Sequence, residues 1–193
     1  MVYSDWQTLQ ASCLQCQQCD LYRTRRNVVF GVGPQDADVL FIGEGPGEQE
    51  DRTGVPFVGR AGQFLDQMLC IIGLSRRNCY IGNIVKCRPP NNRDPQETEQ
   101  AACSGWLTAQ IELMQPKIIV CLGRIAAMKY IDPNFRITRE HGKWFERDDR
   151  QLMAMYHPSA LLRDPSKRPE TFRDLKSLQA MVKTVCPDFP FEA

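Results

Sequence analysis

The sequence predicts an α/β fold, a single domain with a central, mostly parallel four-stranded sheet flanked by helices. Short apolar runs alternate along the chain with longer stretches of helical periodicity, which is the pattern of successive βαβ units. The 193 residues are 42% hydrophobic, which suits one domain with a sizeable core. Because no internal repeat, linker or low-complexity tract interrupts residues 1–193, we expect them to form one domain.

Two helices and two strands are predicted in the first half of the chain. Ser4 and Gln7 have the spacing of a capping box, which predicts a helix running toward the first cysteines. The continuous apolar run at 37–43 predicts a strand buried on both faces. Apolar residues at helical spacing within 62–74 predict the second helix, and the run at 78–87 predicts the second strand.

The second half of the chain continues the alternation. Asp94 and Pro95 are residue types preferred at an N-cap and at the first helical position, so a long helix should begin there. The elements predicted after it are a third strand at 116–123, a helix at 124–131, a hairpin or loop at 138–149, a fourth strand at 151–159 and a helix at 170–185.

Charge and hydropathy narrow the possible environments. With 24 Lys and Arg against 23 Asp and Glu, the formal net charge is +1, so net charge points to no partner. No apolar run is long enough to span a bilayer. The N-terminal "MVYSDWQTLQ" lacks the basic start and apolar stretch of a signal peptide. We therefore expect a cytoplasmic protein without a membrane partner.

Nine cysteines are many for a cytoplasmic chain. The odd count and the reducing compartment argue against a disulfide framework, so some cysteines should be metal or cluster ligands. Cys70, Cys79 and Cys121 fall on predicted helices and strands, and we interpret them as free buried thiols.

Five of the six remaining cysteines have the spacing of a ligand set. In "CLQCQQC" two residues separate Cys13 from Cys16 and Cys16 from Cys19, and Cys87 and Cys103 follow far along the chain. An N-terminal pair with two distant cysteines would hold zinc or an iron–sulfur cluster, and spacing alone does not choose between them. One of the three N-terminal cysteines is surplus to a four-ligand site.

The first strand runs directly into an acidic, glycine-rich segment, "GEGPGEQEDRTGVPFVGRAG" at 43–62. A long surface loop is one interpretation. Pro46 and Pro56 stiffen the segment, however, and Phe57 lies between apolar neighbours, which favours a shaped pocket wall with one aromatic face. The segment lacks the Lys-Ser/Thr ending of a phosphate-binding loop, and its glutamates would repel a pyrophosphate.

Three predicted strands end in polar residues. Glu44 follows the first strand, Asn83 lies in the second and His157 follows the fourth. Ligands of parallel sheets bind beyond the carboxyl ends of the strands. We therefore expect these three side chains to converge on one cleft.

Four stretches together resemble the family 4 uracil-DNA glycosylases, the iron–sulfur type. They are "CQQCDLYRTRRNVVFGVG", "GEGPGEQEDRTGVPFVGRAG", "YIGNIVKCRPPNNRDP" and "YHPSALLRDPS", and they occur in the order of that family over roughly residues 16–168. A related group crosslinks covalently to uracil-DNA, but its basic, histidine-bearing insertion is absent between "CLG" and "HPS".

The resemblance implies a uracil-DNA glycosylase fold and a structural 4Fe-4S cluster. Its implied ligands are Cys16, Cys19, Cys87 and Cys103. Cys13 departs from the family pattern and would be a spare thiol, although a register that uses Cys13 and Cys16 stays open.

The resemblance also assigns the acidic segment to a pocket for a uracil flipped out of DNA. Phe57 would stack on the base and Asn83 would read its pairing edge, while Glu50 would exclude the methyl group of thymine. The implied substrate-binding residues are Gly43, Glu44, Gly45, Pro46, Glu50, Phe57, Asn83 and His157.

Two of these residues are the implied catalytic pair. The Glu44 carboxylate would stabilise positive charge on the deoxyribose or orient water, and His157 would donate to uracil O2, an oxyanion role. Other glycosylase families carry aspartate at the position of Gly45. In "HPSALLRDPSKR", Leu161 or Leu162 would be a wedge between bases, with Arg163 on a phosphate.

The expected function is that of a monomeric, monofunctional glycosylase that removes uracil from single- or double-stranded DNA and leaves an abasic site for base excision repair. One alternative is a glycosylase of shifted specificity, for hypoxanthine or xanthine. Another is a non-catalytic iron–sulfur DNA-binding protein. A scaffold would not need Glu44, Phe57, Asn83 and His157 together, so the set favours an enzyme.

Overall fold

A five-stranded sheet forms the centre of the protein, of which the computed structural model describes residues 3–192. Its strands are β1 (Val39–Gly43), β2 (Tyr80–Asn83), β3 (Ile118–Leu122), β4 (Trp144–Arg147) and β5 (Arg150–Met155). The strand order is β2-β1-β3-β5-β4, and every neighbouring pair is parallel except β4 with β5. The predicted α/β class with a mostly parallel sheet is confirmed. Residues 1, 2 and 193 of the expected domain lie outside the described residues.

The sheet has one strand more than the four predicted. The segment at 138–149 indicated a hairpin or a loop, and a hairpin forms, with β4 antiparallel to β5. Asp148 and Asp149 make the turn with φ of 50° and 59°, the left-handed conformation that two-residue hairpin turns require. Trp144 and Phe145 are only half-buried on this edge strand, so β4 lacks the continuous apolar run that marks the inner strands.

Eight α-helices lie within residues 3–192. They are α1 (Trp6–Leu14), α2 (Glu48–Thr53), α3 (Arg60–Cys70), α4 (Glu97–Met114), α5 (Arg124–Tyr130), α6 (Ile137–Glu140), α7 (Pro158–Arg163) and α8 (Arg168–Val185). None of them is both long enough and apolar enough to cross a membrane.

The sheet is covered by helices on both faces. On one face Leu40 belongs to the same buried cluster as Leu9 of α1 and Trp106 of α4. On the other face Phe41 belongs to the cluster of Leu65 from α3. Successive strand residues point to opposite faces, so burial on both sides makes the inner strands continuously apolar.

Helix α1 begins at a different cap from the one predicted. Asp5 is its N-cap, and the Asp5 Oδ1 atom accepts the Thr8 N–H at 2.8 Å. Ser4 instead donates its hydroxyl to the Asp5 carboxylate at 3.0 Å. A carboxylate is a stronger acceptor than a hydroxyl, so the adjacent aspartate displaces the expected serine cap.

Helix α4 also begins later than predicted. Its N-cap is Gln96, whose N–H donates to Glu99 Oε2 at 2.8 Å. Asp94, the expected cap, pairs with Arg124 at 3.1 Å instead. This ion pair lies beside the cleft described below.

The three cysteines interpreted as buried thiols do not share one environment. Cys79 and Cys121 are buried and free, as predicted, whereas Cys70 is exposed. Cys70 follows Leu69, which packs inward from α3. The next position along a helix is rotated by about 100°, which turns Cys70 toward solvent.

Candidate active site and cysteine cavity

A cleft of about 550 Å³ lies at the carboxyl ends of the strands. Residues that follow or end β1, β2 and β5 all line it, and so does the segment after β1. The side chains that line the cleft include those of Glu44, Glu50, Phe57, Asn83, His157 and Arg163. The structure thus brings Glu44, Asn83 and His157, which are far apart in sequence, to one cleft.

Phe57 forms an aromatic wall of this cleft. Its ring centroid lies 5.7 Å from that of His157 with an interplanar angle of 33°. Its φ is 54°, in the left-handed region, which costs a non-glycine residue about 1–3 kcal/mol and persists only where the surroundings hold it. The backbone is therefore held in a conformation that the segment alone would not favour.

Asn83 offers an acceptor to the cleft. Its side chain is only 1% exposed, and its Oδ1 is a buried atom without a hydrogen-bond partner among the described residues. Leaving such a buried acceptor unpaired costs about 1–3 kcal/mol. An unpaired acceptor in a ligand-sized cleft indicates a ligand that carries an N–H or O–H donor.

Gly43 lets Asn83 and the aromatic wall approach each other. A Cβ atom at this position would lie 2.6 Å from Phe57 Cζ and would also collide with Asn83 Oδ1. No larger residue fits there without moving one of the two side chains.

Glu44 is a partly buried carboxylate. Its pKa is raised to about 7, mainly by loss of solvation on burial and also by the negative charge of Asp94, while the positive charge of Arg124 opposes both. Near neutral pH this carboxyl group is therefore present in both protonation states.

His157 is neutral at physiological pH. Burial lowers its pKa to about 4, and the positive charge of Arg163 acts in the same direction. Its Nδ1 accepts the Ser159 backbone N–H at 3.2 Å. Since Nδ1 is the acceptor, the single proton of the neutral ring is on Nε2. His157 therefore has one N–H donor that its own helix does not use.

Five cysteines line a second cavity, and they belong to the buried cluster on one face of the sheet, whereas Phe57 belongs to the cluster on the other face. They are Cys13, Cys16, Cys19, Cys87 and Cys103. Burial raises the pKa of both Cys13 and Cys103 to about 12, opposed by the positive charge of Lys86.

Several N–H groups donate to these sulfurs. Trp106 Nε1 donates to Cys16 Sγ at 3.3 Å, and the Lys86 backbone N–H donates to Cys103 Sγ at 3.2 Å. Arg25 Nη1 donates to Cys87 Sγ at 3.3 Å. These are the contacts that iron–sulfur ligands receive from the surrounding protein.

The other two sulfurs differ from each other. A hydrogen bond from the Leu21 backbone opposes the rise that burial causes in the pKa of Cys19. No donor within residues 3–192 acts on Cys13 in this way. In the same part of the chain, no three His, Cys, Asp or Glu side chains are arranged around a single metal ion.

Comparison with known proteins decides the family. The family model of the Uracil DNA glycosylase superfamily matches residues 30–179. The chain is 44% identical over 173 residues to the type-4 uracil-DNA glycosylase of Archaeoglobus fulgidus, covering 86% of this chain and 87% of that protein. The chain belongs to the type-4 uracil-DNA glycosylases. The resemblance drawn from its motifs is confirmed.

Two further members of this family are similarly close. The type-4 uracil-DNA glycosylase of Thermotoga maritima is 43% identical over 175 residues, which are 88% of this chain and 90% of that protein. That of Sulfurisphaera tokodaii is 43% identical over 186 residues, which are 91% of this chain and 84% of that protein.

The structure removes one of the two wedge candidates that the family resemblance suggested. Leu161, on the inner side of α7, is 0% exposed and packs in the core, so it does not reach DNA. Leu162 is partly exposed and Arg163 is exposed. The helical period explains the difference, because adjacent positions of α7 face different directions.

Glu50 lines the cleft but is occupied by the backbone. Its carboxylate accepts the N–H groups of Val58 and Gly59, each at 2.8 Å, and that of Gly47 at 3.1 Å. These bonds tie the start of α2 to the start of α3. Glu50 shapes the pocket wall in this type-4 glycosylase, whatever contact it also makes with a base.

Sequence reasoning missed Lys86. This residue is only 1% exposed, lines the cysteine cavity and donates from Nζ to Gln110 Oε1 at 2.7 Å. A lysine inside an apolar run and next to Cys87 was the available signal. Arg25 and Trp106 were missed as well, and no local pattern marks them as sulfur donors.

Proposed function

We propose that the protein flips uracil out of DNA and hydrolyses its N-glycosidic bond, leaving an abasic site that starts base excision repair. The observation that carries this proposal is the buried, unpaired Asn83 Oδ1 in the cleft that Phe57 and His157 also line. Type-4 uracil-DNA glycosylases at 43–44% identity support it.

Recognition depends on the pairing edge of the base. Uracil N3–H donates to Asn83 Oδ1, and the Asn83 amide donates to uracil O4. Cytosine has an acceptor at N3 and a donor at N4, so it leaves both groups unpaired at about 1–3 kcal/mol each. Stacking on Phe57 adds about 1–3 kcal/mol and is the same for any pyrimidine.

Bond cleavage places opposite charges on the two fragments. As the bond between N1 and the sugar breaks, negative charge grows on uracil, and the His157 Nε2–H donates to O2 without itself gaining a proton. Its low pKa suits this role, because a neutral donor does not depend on pH in the working range.

Glu44 acts on the sugar side. As a carboxylate it stabilises the developing deoxyribose cation, and it accepts a proton from the water that attacks the sugar carbon. A general base is most effective when its pKa lies near the working pH, and the pKa of about 7 meets that condition. This chain has Gly45 where other families carry aspartate, which leaves Glu44 as the carboxylate at this end of β1.

A 4Fe-4S cluster in the cysteine cavity is part of the proposal. Cys16, Cys19, Cys87 and Cys103 are the proposed ligands, because each has a hydrogen-bond donor facing its sulfur and Cys13 has none among the described residues. A single zinc ion needs all its cysteine sulfurs about 2.3 Å from one centre. The cysteine sulfurs around a four-iron cluster can lie farther apart. When bound, the cluster would crosslink the segment that follows α1, which carries Cys16 and Cys19, to α4 and to the loop after β2.

The proposal also includes a monomer in the cytoplasm. No cysteine within residues 3–192 forms a disulfide, in keeping with a reducing compartment. Four large apolar residues within 3–192 are exposed, and they come from different segments of the chain: Leu14, Val55, Ile71 and Phe172. A contiguous apolar patch, typical of an obligate dimer, would place them together.

The deciding experiment uses an oligonucleotide with one uracil. Incubation followed by alkali should break the strand at the uracil and leave a matched thymine oligonucleotide intact. Asn83→Ala should abolish the break. An intact uracil strand with folded, iron-loaded protein contradicts the proposal, and a break only at hypoxanthine or xanthine indicates the shifted specificity instead.

A further inference from the structure

The aromatic wall of the cleft depends on a guanidinium group outside the cleft. Arg76 lies in the loop between α3 and β2. Its Nη1 donates to the carbonyl oxygen of Pro56 at 2.7 Å, and its Nη2 donates to the carbonyl oxygen of Phe57. Its Nε donates to Asp66 Oδ1 at 2.8 Å, which fixes the plane of the guanidinium.

The Phe57 carbonyl is also confined from the other side. The backbone of α3 lies so close that a Cβ on Gly62 would collide with the Phe57 carbonyl group. The carbonyl is thus held between Gly62 and Arg76, at a residue whose φ is 54°. A rigid planar donor that binds two successive carbonyl groups fixes the peptide plane between them.

We propose that Arg76 is a positioning residue for base recognition, one that holds the Phe57 backbone in the left-handed conformation that presents its ring to the cleft. Arg76 touches neither substrate nor reacting atoms. The inference rests on the proposed stacking of uracil on Phe57, and it extends the recognition site to an element that contributes no residue to the cleft.

The test compares Arg76→Met with Arg77→Met. Both remove one positive charge, but Arg77 is an exposed neighbour that pairs with Glu192 at 2.7 Å and does not contact Phe57. Arg76→Met should weaken binding of a non-cleavable uracil oligonucleotide about tenfold, which corresponds to about 1.4 kcal/mol. Binding to abasic DNA should stay within about twofold, because no base is stacked there. Arg76→Lys should recover part of the loss, since lysine binds one carbonyl but not two. Arg77→Met should change neither affinity.

A double-mutant cycle with Phe57→Ala separates positioning from a general loss of stability. If Arg76 acts through the ring, Arg76→Met should add less than about twofold to the loss caused by Phe57→Ala. Full additivity, or equal losses for uracil and abasic DNA, would overturn the inference. If Phe57→Ala itself binds uracil DNA normally, the stacking role fails and the inference fails with it. If Phe57→Ala weakens binding and Arg76→Met does not, only the inference fails.

Discussion

Two single residues of the cleft divide the ionisation chemistry between them. Burial raises the pKa of Glu44 to about 7 and lowers that of His157 to about 4. At pH values above its own pKa His157 is neutral, and Glu44 titrates around pH 7. The pH dependence of the rate should therefore report on Glu44 alone.

We expect the single-turnover rate of uracil excision to rise with pH below about 7 and to level off above it. In the proposed mechanism the carboxylate form of Glu44 is the active one, and its fraction falls as the pH drops through the raised pKa. Glu44→Gln should be slow and independent of pH between 5 and 9. Asp94→Asn should move the midpoint to lower pH, because Asp94 contributes to the rise. A wild-type rate that is flat down to pH 5 would contradict the role of Glu44.

The close packing around Gly43 predicts the effect of a substitution there. Gly43→Ala should lower uracil excision about tenfold or more, because the new Cβ displaces Phe57 or Asn83 and overpacking costs about 1–3 kcal/mol. The matched control is Gly105→Ala in α4, where a Cβ meets nothing within 4 Å and activity should be unchanged. An active Gly43→Ala protein with normal affinity would mean that the cleft tolerates a wider spacing of these two side chains.

Helix α2 connects the cleft to the cysteine cavity. On one side of this helix Glu50 organises the pocket wall. On the other side the buried Asp51 Oδ1 accepts the Arg26 N–H at 2.9 Å, and the preceding Arg25 donates to Cys87 Sγ. Glu50 and Asp51 of this short helix thus hold one segment at the cleft and another at the cysteine cavity.

We expect Asp51→Ala to destabilise the protein by about 1–3 kcal/mol, the cost of leaving buried N–H groups unpaired. For a chain of this size that lowers Tm by roughly 2–4 °C per kcal/mol. Glu48→Ala on the same helix is the control. Glu48 pairs with Arg52 on the exposed surface, and such i,i+4 pairs contribute about 0.3–0.5 kcal/mol. Equal Tm values for the two variants would show that Asp51 is dispensable.

At the scale of the whole molecule, the cysteine cavity joins parts of the chain that are distant in sequence. Its five cysteines come from the end of α1, the segment before residue 20, the loop after β2 and the middle of α4. A cluster here closes loops of many residues, so its removal should loosen the N-terminal part of the fold rather than the sheet.

Alanine variants test the ligand set. Protein purified anaerobically should contain iron and sulfide, and replacement of Cys16, Cys19, Cys87 or Cys103 by alanine should lower both and lower Tm. Cys13→Ala should keep its iron, because no donor among residues 3–192 acts on its sulfur as donors act on the other four. Cys121→Ala, a buried cysteine of β3 outside the cavity, controls for the cost of a lost core thiol. Iron lost from the Cys13 variant and kept in the Cys19 variant would favour the alternative register.

The fold class and the chemical groups of the site could be predicted from local sequence patterns. Apolar runs bounded by polar residues mark inner strands because burial on both faces demands them, and parallel strands bring Glu44, Asn83 and His157 to the same edge. The cysteine spacing and the four family motifs indicated the second site. These signals are local, so they can be read without knowing how distant segments pack.

Which side chains are free to act depends on packing and could not be predicted from local patterns. Leu161 turned inward, Glu50 was taken up by three backbone N–H groups, and Cys70 turned to solvent. Arg76 reaches the Phe57 carbonyl across 19 positions of sequence, and Trp106 reaches Cys16 across 90. The raised pKa of Glu44 and the lowered pKa of His157 depend equally on packing. Hydrogen bonding and desolvation act between neighbours in space, and those neighbours exist only once the helices have packed on the sheet.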